Sequence, residues 1–238
     1  MRKVIVGAFV SMDGVMQAPG GPEEDPTGGF KIGGWVAPFA ELDPVFGEEV
    51  GKLFTEPFDL LLGRRTYDIF AAHWPYAERG PYDDIAKMFN RITKYVATRK
   101  GADLTWKGSV ALRDAALEVA KLKREDGPAL VTQGSTELVH SLLAAGLVDE
   151  IRTFTFPILL GKGKRLFDQT SQPRAFKLTH SVVSANGLIH ATYVRDGEVK
   201  TATIGGAEEP SAAELARREK LKRENTQTQM VLEAQMPK

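Results

Sequence analysis

The chain contains no cysteine among its 238 residues. That excludes a disulfide framework, thiolate metal sites and a cysteine nucleophile. Net charge is missing too. The 31 basic residues balance 31 acidic ones, so no global field draws the molecule to nucleic acid or to an anionic membrane. No apolar run approaches the roughly 18 residues of a membrane helix. The apolar stretch in the opening MRKVIVGAFVSMDG is short, meets Asp13 early and lacks a small-residue cleavage site, so it reads as a first strand rather than a signal peptide. Absent as well are the glycine fingerprint of common dinucleotide folds, the GxSxG elbow and the P-loop. A cytoplasmic protein without nucleic-acid or membrane partners is the expectation.

What is present suits one packed domain with an appendage. Hydrophobic residues make up 42% of the chain, enough for a core, and charged residues 26%, enough for a solvated surface. Val4 to Val10 is β-rich and almost wholly apolar, as a strand buried on both faces should be. Residues 16–34 are rich in Gly and Pro and predict a long loop, a length usually associated with function or disorder. Asp43-Pro44 predicts a helix start, with the helix running to about Phe54. Phe58 to Leu62 predicts a strand, and helices are expected from near Thr66 and over Tyr82–Phe89. A strand follows at Thr93 to Thr98, a helix over Ala111 to Lys123 and a strand at Pro128 to Thr132. Ser135 predicts the cap of a helix that ends at Ala145, with Gly146 after it. Glu150 to Leu160 reads as strand, interrupted by Pro157. Asn186-Gly187 between Phe176–Val183 and Leu188–Val194 predicts a tight hairpin. Alternating strands and helices argue for a mainly parallel sheet covered by helices, made mixed by the hairpin. Aromatic residues stop at Tyr193. We therefore expect a domain over 1–196 and a polar extension over 197–238, partly helical or disordered, with a polar helix over Ser211 to Arg223.

Several segments carry binding chemistry. Gly63-Arg64-Arg65-Thr66 joins a strand end to a helix start, where free N–H groups and the helix dipole favour a phosphate. Gly63 allows close approach, Thr66 offers a hydroxyl, and Arg64 or Arg65 offers a guanidinium. The alternative is a glycine turn with two surface arginines. Thr98-Arg99 at the next strand end suits a 2′-phosphate. Gln133-Gly134-Ser135-Thr136-Glu137-Leu138 repeats the strand–glycine–helix pattern, with plain capping by Ser135 as the simpler reading. FPILLGKGKRLF adds glycines and basic residues of open role. Asp13 leaves the first strand in the turn Ser11-Met12-Asp13-Gly14, and Trp35 sits in the glycine-rich loop. Trp35 suits stacking on a flat ring or packing into the core. His73, His140, His180 and His190 lack metal-ligand spacing. His180 and His190 face each other across the predicted hairpin, as strand residues or as a zinc pair. The first reading is taken, and no metal is expected.

In this order, LLLGRRTYDIF, KYVATR, LVTQGSTELVHSLLAAGLVDEI and FPILLGKGKRLF resemble the reductase domain of bacterial riboflavin biosynthesis and its stand-alone relatives. These share the dihydrofolate reductase fold, and the resemblance covers about residues 2 to 195. It implies a three-layer α/β/α fold with a mixed sheet of about eight strands, and NADPH across the strand ends. Carried onto this chain, it makes Gly63, Arg64, Thr66, Thr98, Arg99, Gly134, Ser135, Thr136 and Leu138 cofactor-binding residues. Ser11, Asp13, Gly14 and Trp35 fall at the substrate end. Gln133 stands there too, where the relatives usually carry Glu. The helix after the first loop offers Glu48 and Glu49 as acids, and neither aligns well enough to be assigned, so no catalytic residue is named. The expected activity is hydride transfer from NADPH to a small, flat, pteridine- or pyrimidine-like heterocycle. The alternative is a nucleotide-binding module with this fold and no turnover. A homodimer acting on a small molecule is expected.

Overall fold

The computed structural model describes every residue except 42, 81, 100–102, 170, 205–208 and 235–238, and side chains as far as Thr226. The chain divides into two compact units, Met1–Val199 and Lys200–Lys238. The second holds a polar helix, Ala212–Ala234.

In the first unit, β1 (Val4–Ser11) is buried along nearly its whole length, as its apolar run requires. After a long loop come α1 (Ala37–Ala40) and α2 (Pro44–Gly51). Asp43 caps α2 by accepting from the Val45 N–H at 3.0 Å, and Pro44 occupies the first helical position. The chain continues through β2 (Phe58–Gly63), α3 (Arg64–His73), α4 (Asp83–Arg91), β3 (Lys94–Ala97) and β4 (Ser109–Leu112). Next are α5 (Ala115–Leu122), β5 (Ala129–Thr132), α6 (Thr136–Ala144), β6 (Glu150–Phe156), β7 (Phe176–Val183) and β8 (Ile189–Arg195). The eight strands form one sheet in the order β4-β3-β2-β5-β1-β6-β8-β7. All neighbours from β4 to β6 pair in parallel, while β8 runs antiparallel to both β6 and β7. The α/β class and the mixed, mainly parallel sheet closed by a hairpin are as the sequence implies. Gly187 adopts φ +80° in the hairpin turn, which explains the Asn-Gly pair there.

The sheet alternates its side chains between two cores. Val4, Val6, Ala8 and Val10 pack with α5 and α6 residues such as Val119, Leu138 and Leu142. Ile5, Leu60, Leu62 and Val131 face the other way, with Tyr67 of α3 and Phe89 of α4. Phe154 and Phe156 of β6 share that layer with Phe46 and Val50 of α2.

One expected element is split. The helix read over Ala111 to Lys123 begins only at Ala115, and Ser109–Leu112 is the edge strand β4. Leu112 matches the helical stripe by spacing alone. Asp114 sets the true start, because its carboxylate accepts from the Leu117 N–H at 3.0 Å. The loop over residues 16–34 is packed rather than loose. The Gln17 amide donates to the Asp25 and Thr27 carbonyls, both at 2.9 Å, and accepts from the Lys164 N–H at 3.0 Å.

Lys94 is wholly buried at the start of β3. Its ammonium donates to the carbonyls of Phe89 (3.0 Å), Asn90 (3.3 Å) and Ile92 (2.9 Å) and lies 4.4 Å from the centroid of the Trp106 ring. Three orphan carbonyls at the end of α4 thus share one cation. Burial pushes its pKa down to about 8, yet the group stays mostly charged at neutral pH. Lys94→Met leaves those carbonyls without their donor and should cost roughly 2–4 kcal/mol. Urea unfolding should show a lower midpoint with an unchanged slope.

Candidate functional site

In an open α/β sheet, ligands settle beyond the carboxyl ends of the strands. A cleft of about 1260 Å³ lies there, lined by the ends of β2, β3 and β4, by the turn after β5, by part of β1 and by the loop after it. Every residue expected to bind the cofactor is in its wall. Gly63, Arg64 and Thr66 come from the β2–α3 junction, and Thr98 and Arg99 follow β3. Gly134, Ser135, Thr136 and Leu138, with Gln133, come from the β5–α6 junction.

Both junctions present helix starts without side-chain caps. The N-cap residues Gly63 of α3 and Ser135 of α6 make no side-chain capping bond, whereas α2 and α5 are each capped by an aspartate. Ser135 holds the predicted N-cap position of α6, but its side chain makes no capping bond. Its hydroxyl turns toward β2 instead, so close that a Cβ on Gly63 would sit 2.0 Å from it. Gly63 is thus needed for the approach of Ser135. Gly134 adopts φ +122°, which other residues rarely do. Thr132 donates from its hydroxyl to the Gly134 carbonyl at 2.8 Å and steadies the turn.

The cations at this end differ in their commitments. Arg64 pairs with Asp68 one turn along α3. Arg65 donates to the Thr27 hydroxyl at 3.0 Å and lies 3.8 Å from Asp25. Arg99 is exposed, and so is Arg113, which directly follows β4 and also lines the cleft. Neither guanidinium has an ion pair among the described residues. The strand ends that carry them are adjacent, since Ala97 pairs with Leu112. Arg113 escaped the sequence reading because β4 was read as helix.

The other end of the cleft is apolar. Phe9, Val36, Phe46, Val50, Phe70 and Trp74 contribute to it. The loop after β1 supplies Gln17, Glu24 and Asp25 to the wall. Burial raises the pKa of Glu24 against the two N–H groups, of Gly20 and Gly21, that bond it. Asp25 is engaged by Lys164, another wall residue.

Ser11, Asp13 and Trp35 lie outside this lining. Trp35 is 6% exposed, donates from Nε1 to the Gln17 carbonyl at 2.9 Å and packs edge-on against Phe156. It takes the core-packing role, because its ring is enclosed and its N–H already has a partner. Ser11 donates to Asp13 at 2.6 Å and accepts from the Val15 N–H at 3.0 Å. Asp13 accepts from the N–H groups of Leu160 (3.1 Å) and Gly161 (2.9 Å) and pairs with Arg165. The FPILLGKGKRLF segment is therefore clamped to the end of β1. Glu49 also misses the cleft. It is 2% exposed and turns toward His180 and His190.

The Ser11 hydroxyl, then the Leu160 and Gly161 N–H groups, hold the Asp13 carboxyl at about 2, below its ordinary 3.8. With the folded value depressed, the stability it contributes is present above the ordinary value and lost as pH falls through about 2. Asp13→Asn should be less stable than wild type at neutral pH. That difference should shrink between about pH 4 and pH 2 in denaturation curves measured across the range.

Comparison with known proteins agrees with this architecture. The chain is 25% identical over 198 residues to the uncharacterized protein YyaP of Bacillus subtilis (strain 168), covering 82% of this chain and 96% of that protein. A crystal structure of a candidate riboflavin biosynthesis protein from Shewanella sp. PV-4 superposes with a TM-score of 0.54 at 21% identity, covering 82% of this chain and 99% of that one. A dihydrofolate reductase from Enterococcus faecalis, complexed with NADP(H) and RAB-propyl, gives 0.48 at 16% identity over 82% of this chain and 96% of its own. The family model of the RibD C-terminal domain matches residues 2–190. The chain belongs to the RibD C-terminal domain family.

Proposed function

We propose that the cleft binds NADPH and that the protein reduces a small, flat, pteridine- or pyrimidine-like heterocycle. The observation that carries this reading is the pair of uncapped helix starts, α3 and α6, converging on one cleft beside the guanidiniums of Arg99 and Arg113, which have no ion pair among the described residues. Free N–H groups at a helix start bind phosphate, and the dipole adds to the attraction. The donor set fits a dinucleotide well. The hydroxyls of Thr66, Ser135 and Thr136 flank both junctions, and the guanidiniums suit a 2′-phosphate, the group that separates NADPH from NADH.

The apolar end suits a planar ring, because Phe9, Phe46, Phe70 and Trp74 offer aromatic surface with little competing hydrogen bonding. Bound across the cleft, NADPH would supply a hydride to a C=N or C=O carbon of that ring. The loop bearing Gln17 and Glu24 lines the same cleft and would help exclude water. Glu24 is a suitable proton source, since a carboxyl with a raised pKa holds its proton closer to neutrality. The kinship with a candidate riboflavin biosynthesis protein supports the heterocycle class.

Titration of purified protein should show tighter binding of NADPH than of NADH. Arg99→Ala and Arg113→Ala should each weaken NADPH by roughly tenfold, about 1.4 kcal/mol, and leave NADH nearly unchanged. Equal losses for both cofactors would move the guanidiniums away from the 2′-phosphate. A screen of pteridines and pyrimidines should then find turnover with NADPH oxidation, slowed in Glu24→Gln with loss of one limb of the pH profile. Binding without turnover of any heterocycle would favour the nucleotide-binding module.

A further inference from the structure

The antiparallel hairpin and α2 bring three metal-ligating side chains together away from the cleft. His190 on β8 stands opposite Val182 of β7, and His180 lies two residues before Val182. Alternation puts both imidazoles on the same sheet face, as diagonal neighbours with ring centroids 5.5 Å apart. Glu49 of α2 meets them from above. Its Oε2 lies 3.1 Å from His180 Nε2 and 2.7 Å from His190 Nδ1. One ligand atom from each residue falls within a 4.8 Å span.

His190 is the telling member. It is 3% exposed and stacks on Phe154, and among the described residues neither ring nitrogen makes a hydrogen bond of acceptable geometry. A buried imidazole without a proper partner is costly. Nδ1 nevertheless lies 2.7 Å from the carboxylate that His180 also approaches. The other carboxylate oxygen is held by Lys52 at 2.6 Å, which leaves Oε2 toward the histidines. A ligating carboxylate is commonly steadied by such an outer hydrogen bond. His180 has a side chain 44% exposed, so the cluster opens to solvent on one side.

We propose that Glu49, His180 and His190 form a binding site for a divalent late first-row cation such as Zn²⁺, with water as the fourth ligand. Two imidazoles and one carboxylate match the chemistry of that class. Bonds of about 2.0–2.2 Å in tetrahedral geometry separate ligand atoms by roughly 3.3–3.5 Å. The two Glu49–histidine contacts, at 2.7 and 3.1 Å, therefore need to open by roughly 0.2–0.8 Å, the larger part of it between Glu49 and the buried His190. The nearby Lys52 cation opposes the ion and limits its affinity. The bound cation would tie α2 to the terminal hairpin. Phe46 and Val50, on either side of Glu49 in α2, belong to the cleft wall, so the same tie would hold that wall. The site does not depend on the reductase reading.

The test uses the full chain, stripped with a chelator and titrated with Zn²⁺ by calorimetry and with Co²⁺ by visible absorption. One ion per chain should bind, with a tetrahedral Co²⁺ spectrum and a Tm raised by several degrees. His180→Ala should fold like the metal-free wild type, because the side chain is half exposed, and should lose at least about tenfold in affinity together with the Tm gain. Glu49→Gln should lose binding too, and His73→Ala and His140→Ala should retain it. Absence of stoichiometric uptake by the wild type would overturn the proposal. Undiminished uptake by His180→Ala and Glu49→Gln would also overturn it.

Discussion

The cleft depends on the parallel pairing of β1 with β5 and of β5 with β2. Parallel strands deliver their carboxyl ends to one edge, and each must be followed by a crossover that begins there. Two of those crossovers start as helices directly at the edge, α3 after Gly63 and α6 after Ser135. Their orphan N–H groups consequently point into the same space. Had either strand run the other way, the Gly63 and Gly134 turns would lie at opposite ends of the sheet.

At this edge the usual stabilisation of a helix start is missing. Aspartate caps secure α2 and α5, and such a cap contributes about 1 kcal/mol. The starts of α3 and α6 lack it, and the Ser135 side chain packs on Gly63 instead. Local stability has been left unclaimed where donors face the cleft, a pattern typical of binding sites. The rigidity needed there comes from elsewhere. Gln17 gathers the loop after β1, and Asp13 clamps the segment from Leu160 to Arg165.

Buried polar groups act in the same way through the rest of the domain. Arg2 pairs with Asp59 and donates to the Pro128 carbonyl at 2.7 Å, joining the starts of β1, β2 and β5. Lys94 closes the end of α4. Each is a charged group whose desolvation is offset by several hydrogen bonds from one frame. The Glu49, His180 and His190 cluster differs, because the His190 ring lies 2.7 Å from the Glu49 carboxylate yet makes no well-aligned hydrogen bond among the described residues.

Local signals determined much of this protein. Apolar runs marked β1 and β2, Asp43-Pro44 marked the start of α2, Asn186-Gly187 marked the hairpin, and strand–glycine–helix junctions marked the two turns now found in the cleft wall. Each is a property of a few adjacent residues, so the chain order carries it. Other features were decided only by tertiary packing. Whether Trp35 stacks on a ligand or enters the core depends on Phe156 and the Gln17 carbonyl, far away in sequence. Asp13 reads as a substrate contact or a turn residue until Leu160 and Gly161 are placed beside it. Arg113 joins Arg99 only because a short edge strand pairs with β3, and four residues carry too little periodicity to announce a strand. Glu49 meets its two histidines across more than a hundred residues of chain, where spacing holds no information and only the sheet register brings the side chains together.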